Sequence, residues 1–161
     1  MSLEREVWQR VLDADMNARF WGHMARRYQR IEKITLIAVA VLSSATVASW
    51  IAELHTSAFK ALSVLTAVMG VALPILNIAR DVECMVELRV KWAGIRNQYQ
   101  QLYDRFPRLS KTEVQSKLEE LSRRELDLEP LETRLPRSRK LIEASYLEVC
   151  RSRGLQPRSI E

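Results

Sequence analysis

The sequence predicts an all-α membrane protein, with two antiparallel transmembrane helices that extend into cytoplasmic helices and assemble as an oligomer. Three observations carry this. Glycine and proline are scarce, at four and five of 161 residues, which disfavours turn-rich strand folds. Two 19-residue runs, Ile34–Ala52 and Ala61–Ala79, hold no charged residue. The polar segments around them repeat apolar residues at helical spacing.

Residues 1–33 read as an N-terminal cytoplasmic helix. Val7, Val11, Ala14, Ala18, Trp21, Ala25 and Tyr28 step alternately by four and three, the pattern of a heptad seam. Residues 34–54 and 61–79 are the two spans, joined by a short extracytoplasmic loop, 55–60. At about 1.5 Å per residue each charge-free run is roughly 28 Å long, close to a hydrocarbon core of about 30 Å. Their polar residues are Ser, Thr and Asn77, whereas a soluble amphipathic helix carries charge on its outer face. Lys33, Glu53, Lys60 and Arg80 bracket the runs as anchors, with Trp50 near one boundary. Of 25 Lys/Arg, seven precede the first run, Lys60 alone lies between the two, and 17 follow the second. The positive-inside rule then puts both termini in the cytoplasm. The alternative is a soluble bundle that hides both apolar helices in its core.

Residues 80–106 form a cytoplasmic extension of the second span. Met85, Leu88, Trp92, Ile95, Tyr99, Leu102 and Phe106 make a second heptad seam, expected to zip against the first. A helix continuous from Ala61 to Phe106 would have 46 residues and reach roughly 69 Å. Pro107 stops it. Residues 107–161 hold the C-terminal cytoplasmic helices. Ser110 with Glu113 is a capping-box pattern, opening a helix to about Leu128 with Val114, Leu118 and Leu121 as its seam. Pro130 and Pro136 bound a linker, "PLETRLP". Pro136 then sits in the first turn of a last helix carrying Leu141, Ile142, Tyr146 and Val149, which Gly154 ends.

No convergent catalytic set is visible, so an enzyme is not expected, nor a cofactor or a metal. His23 and His55 fall on opposite sides of the expected membrane, and no HExxH, phosphate-binding Gly-rich loop or GxSxG elbow occurs. Cys84 and Cys150 lie far apart without a CxxC pairing and are expected to stay reduced.

Two patterns do point to function. Ser63, Thr66, Gly70, Pro74, Asn77 and Asp81 follow one face of the second span. Such a stripe needs water or another helix opposite it, so it reads either as a pore wall or as tight helix packing. A two-pass hairpin encloses no water path alone, so a pore requires a homo-oligomer, expected to be a tetramer or larger. The second pattern is charge. Residues 134–158 carry Arg134, Arg137, Arg139, Lys140, Arg151, Arg153 and Arg158 against Glu143 and Glu148, and so account for the whole net charge of +5. This segment suits anionic lipid headgroups, an acidic partner or a phosphate-bearing ligand.

The stretches "ARFWGHMARRYQRIEKITLIAVAVLSSATVASWI" and "RVKWAGIRNQYQQLYDRF", with Tyr99 and Leu102 three apart, resemble the SLATT family. The likeness covers most of residues 1–106 and rests on architecture. It implies a membrane effector of antiphage defence, encoded beside a nucleotidyltransferase that makes a nucleotide or short oligonucleotide signal. In Hailong-type systems a DNA oligomer controls a small channel of this sort. The expected function is therefore an ion channel gated by such a signal, causing depolarisation or cell death when open. The rival from another class is a non-conducting membrane scaffold that recruits a soluble partner through its cytoplasmic helices.

Overall fold

The structure, a computed structural model, describes residues 2–51 (of 42–51 the backbone only), 64 and 78–157. The described residues are helical, with no strand among them. Helix α1 spans Leu3–Ile51, and α2 spans Ile78–Arg105. A 3₁₀ turn, Phe106–Arg108, leads to α3, Lys111–Leu126. A single turn, α4, covers Glu129–Glu132, and α5 covers Arg139–Arg153. The chain forms two compact units, Met1–Ala25 with Cys84–Glu161, and Arg26–Glu83.

The first unit is assembled on the two seams. Val7, Val11, Ala14, Ala18, Trp21 and Ala25 of α1 are buried, as are Met85, Leu88, Trp92, Ile95, Tyr99 and Leu102 of α2. The outer position Phe106 is half-buried, and the last position of the α1 seam, Tyr28, also half-buried, belongs to the second unit. Fully burying side chains of this size contributes roughly 1.5–3 kcal/mol each, which outweighs the modest intrinsic propensity of any one residue. Gly22 marks a close approach, since a Cβ there would stand 3.3 Å from Cδ of Arg89.

Pro107 acts as expected, ending α2 in the 3₁₀ turn, where its missing N–H is no loss. Ser110 then caps α3 through a complete capping box. Its Oγ accepts from the Glu113 amide at 3.3 Å, and its own amide donates to Glu113 Oε2 at 2.8 Å. Val114, Leu118 and Leu121 are the residues α3 buries. The helix ends at Leu126, two residues before the expected limit.

The C-terminal part departs from expectation in three ways. "PLETRLP" is not a plain linker, because it begins within α4, where Pro130 sits in the first turn. Pro136 lies outside α5. Ser138, extended at φ −119° and ψ 111°, is the residue before the helix, so the chain straightens through Pro136 and turns only afterwards. The buried face of α5 is Ser145, Val149 and Cys150, while Leu141, Ile142 and Tyr146 are half-buried. The small Ser145 is wholly enclosed, and its Oγ has no hydrogen-bond partner among the described residues. Gly154 closes α5 in the left-handed region, φ 66°, with the Leu155 amide donating to the Cys150 carbonyl at 2.8 Å. Cys84 and Cys150 are not joined in a disulfide.

In the second unit the described part of α1 presents aliphatic side chains to its surroundings. Ile34, Leu36, Ile37 and Val41 are 67, 57, 64 and 63 % exposed. Thr35 folds its hydroxyl back onto the Ile31 carbonyl at 2.7 Å. Among the described residues no helix is long and apolar enough to cross a membrane. The second expected span, apart from Val64, Ile78 and Ala79, lies outside them. So do the loop and the side chains of residues 42–51 in the first span.

Two substitutions test this packing. Ser110→Ala removes the cap and is expected to lower stability by about 1 kcal/mol. Ser145→Ala removes a buried hydroxyl without a partner and is expected to raise it by about 1 kcal/mol. Urea unfolding of the first unit, followed by near-ultraviolet circular dichroism, reads both signs.

Candidate functional site

The six described basic residues of the C-terminal segment fall into two groups, and Arg158 lies outside the described residues. Arg134, Arg137, Arg139 and Lys140 belong to the loop and first turn leading into α5, and Arg151 and Arg153 to its last turn. Arg153 lies fourteen positions beyond Arg139, about 21 Å along the helix. The helix therefore carries positive charge at both ends instead of one continuous basic patch.

Internal carboxylates hold three of the six. Arg137 donates to Glu132 Oε2 at 2.6 Å, and Arg139 pairs with Glu143 at 3.1 Å. Arg153 approaches Asp15 Oδ2 at 3.7 Å, donates to Gln100 at 3.2 Å and lies over the Trp8 ring, 5.5 Å from its centroid. Arg134, Lys140 and Arg151 are exposed and make no ion pair among the described residues. Those three cations remain for an outside anion.

Sequence reasoning missed both carboxylates at the centre of this arrangement. Asp15 is buried on α1 beside the seam. Arg19 donates to it at 3.2 and 3.4 Å, Arg96 of α2 at 3.3 Å, and Arg153 of α5 completes the ring. Arg19 also reaches Glu148 at 2.8 Å and Ser152 at 3.0 Å, and His23 Nε2 meets the other oxygen of Glu148 at 2.8 Å. Burial alone would raise the Asp15 pKa, but the hydrogen bonds and charges of Arg19 and Arg96 outweigh it and hold the pKa below its ordinary value. The Arg19 spacing of four residues was the available signal.

Glu132 is the second. Its Oε1 accepts from the Trp21 indole at 3.1 Å and the Trp92 indole at 2.7 Å, while Oε2 takes Arg137. One carboxylate thus ties α1, α2 and α4 together. Beside it lies a recess of about 190 Å³, lined by Asn17, Phe20, Trp21, Glu132, Arg137 and Ile142 among others. A wider groove of about 690 Å³ runs between α2 and α3, but its Arg105, Lys117 and Arg124 face Glu113 and Glu120. Arg124 and Lys117 both bond Glu120 there, so this groove offers little net charge.

Tyr99 faces Ser122 and Glu125 without an aligned hydrogen bond. Burial, and then the Glu125 charge, push its pKa up to about 12. Of the expected polar stripe only Asp81 is described, half-buried in the first turn of α2. Ser63, Thr66, Gly70, Pro74 and Asn77 lie outside the described residues, as does His55. Among the described residues no three His, Cys, Asp or Glu side chains are grouped to hold a metal ion. No protein-family model, curated protein or solved structure matches the chain.

Asp15→Ala is expected to cost about 3 kcal/mol, the lower end for a broken buried pair, because Arg19, Arg96 and Arg153 keep part of their surface in water. Its depressed pKa makes the wild-type contribution complete above about pH 3.8 and lost as pH falls through the lower folded value. Tyr99 acts at the alkaline end. The unfolded chain ionises near pH 10 and the folded one near 12, so stability falls across that interval. Urea midpoints against pH should show both limbs, the acid limb flattened in Asp15→Asn and the alkaline limb in Tyr99→Phe.

Proposed function

We propose that the chain is an oligomeric membrane pore, with residues 34–54 and 61–79 as its spans, whose opening is controlled by an anionic ligand bound to the helical unit outside the membrane. The observation that carries this is the uncovered aliphatic surface of α1. Ile34, Ile37 and Val41 follow one face, but Leu36 points to the opposite side, and all four are more than half exposed. A partner helix would cover one face only. Exposure on both sides suits hydrocarbon, which surrounds a helix. The charge-free runs beyond Lys33 and Lys60 give the lengths a bilayer needs.

The stripe from Ser63 to Asp81 is then the pore wall, with Gly70 and Pro74 as its bendable middle and Asn77 and Asp81 at the cytoplasmic mouth. Arg134, Lys140 and Arg151, free of internal ion pairs, are the residues available to the ligand. A ligand with different affinity for two arrangements of the helical unit would bias α2, which leads directly from the second span. The likeness to the SLATT family extends the proposal. The ligand is a nucleotide or short oligonucleotide made by a partner nucleotidyltransferase, and the setting is antiphage defence at the bacterial inner membrane.

Expression in a bacterial host, with membrane potential followed by a voltage-sensitive dye, tests the pore. Wild type is expected to depolarise the cell, alone or with the partner synthase. Gly70→Leu and Asn77→Leu are expected to abolish this while membrane insertion and oligomer size persist. An assembled wild-type chain that leaves the potential unchanged under both conditions would be a scaffold. Release from membranes by alkaline carbonate would sink both membrane readings.

A further inference from the structure

Several cations on the helices of the first unit are met by acids of their own helix. Lys91 pairs with Glu87, and Lys117 and Arg124 both pair with Glu120, each three or four positions away. The stretch of α1 in the second unit departs from this pattern. Arg26, Arg27, Arg30 and Lys33 are all exposed, and no Asp or Glu stands three or four positions from any of them. Instead Arg26 and Arg27 stand four and three positions before Arg30, and Lys33 stands three after it. Like charges at that spacing repel across the helix surface and destabilise it. Glu32, the one acid among residues 26–33, is half-buried and falls on the opposite side of the helix from Arg30. Arg27, Arg30 and Lys33 make no ion pair among the described residues.

The same face changes character at Ile34. At 3.6 residues per turn, Arg26, Arg30, Lys33, Ile37 and Val41 fall within about 80° of arc, and Ile34 borders it. Ile34, Ile37 and Val41 are 67, 64 and 63 % exposed. A self-repelling cationic patch thus runs straight into an uncovered aliphatic one. A small soluble anion would answer the first and leave the second in water. An anionic lipid leaflet presents both in that order, phosphates and then acyl chains. The dimensions agree. Arg30 precedes Ile34 by about 6 Å along the axis and Arg27 by about 10 Å. The headgroup layer is about 5–7 Å deep on each side of the hydrocarbon, and its charge is felt about 8–10 Å farther. We infer that α1 binds the phosphates of anionic phospholipids through Arg27, Arg30 and Lys33, with the hydrocarbon beginning at Ile34. The inference rests on the membrane reading above. It moves lipid recognition to α1 from the C-terminal segment, where Arg137, Arg139 and Arg153 already meet internal carboxylates.

The test is the lipid selectivity of the full-length protein reconstituted in phosphatidylcholine vesicles. Trace spin-labelled phosphatidylglycerol or phosphatidylcholine is added, and electron spin resonance reads the fraction held at the protein. Phosphatidylglycerol is expected to be preferred about fivefold, the effect of one cation beside a charged headgroup. The preference should collapse in about 1 M salt. Arg27→Gln with Arg30→Gln and Lys33→Gln should remove it without lowering the melting temperature, because these positions are exposed and their repulsion is relieved. Arg27→Lys with Arg30→Lys keeps the charge and should keep the preference. A held lipid shell without this preference, or a preference that follows Arg134, Lys140 and Arg151 instead, would overturn the inference and leave the spans standing. Flotation separates the converse case. A chain that alkaline carbonate strips from membranes, yet floats with phosphatidylglycerol vesicles and not with phosphatidylcholine ones, would keep this surface and refute the spans. A chain that floats with neither would refute both.

Discussion

Burying a carboxylate in a helical core is costly unless its charge is met from several directions, and the first unit is organised by that requirement twice. Asp15 draws Arg19, Arg96 and Arg153 to one point, and those arginines come from α1, α2 and α5. Glu132 draws in the indoles of Trp21 and Trp92 and the guanidinium of Arg137. Apolar seams bring helices together but tolerate sliding by a turn. An ion with three named donors does not, because a shift of one turn would leave it buried and unpaired. The heptad seams account for the strength of the packing, and the two carboxylates account for its register.

What the sequence made legible was local or periodic. The α3 capping box and its three buried residues are set within a dozen positions and follow from those positions alone. The seams of α1 and α2 emerge because a step of three or four is a property of the helix itself, whatever it meets. Glu132 was hidden for the opposite reason. It sits among prolines and charges in "PLETRLP", where polarity suggests solvent, and its donors lie 111 and 40 residues away. In the same way the buried face of α5 centres on Ser145, which is wholly enclosed, instead of its bulkier neighbours, and a lone serine gives no apolar signal in the sequence. The polar stripe of the second span rests on sequence alone, since only Asp81 of its residues is described.

Charge counting along the chain also proved a coarser guide than charge pairing in space. The basic C-terminal segment looks like one anion-seeking patch when read linearly. In the fold, Arg153 belongs to the core network, and Arg137 and Arg139 answer neighbouring glutamates. What remains is sparser, Arg134 and Lys140 before and at the start of α5 and Arg151 in its last turn. The functional reading rests on these three exposed cations, which make no ion pair among the described residues.

The reach of the polar ties has a consequence for how the molecule is made. Arg10 bonds Glu125, Trp21 bonds Glu132, and Arg19 bonds Glu148 and Ser152, so the sequence separations run from 111 to 133 residues. Helical proteins usually fold quickly because their contacts are local. Here the first helix leaves the ribosome with an apolar seam that waits for α2 and an aspartate paired at first by Arg19 alone. Its bonds to Glu125, Glu132 and Glu148 wait for nearly the whole chain. At synthesis rates of about 5–20 residues per second that delay lasts several seconds. Through that interval the nascent chain displays adhesive surface to every chaperone, membrane and sister polypeptide within reach.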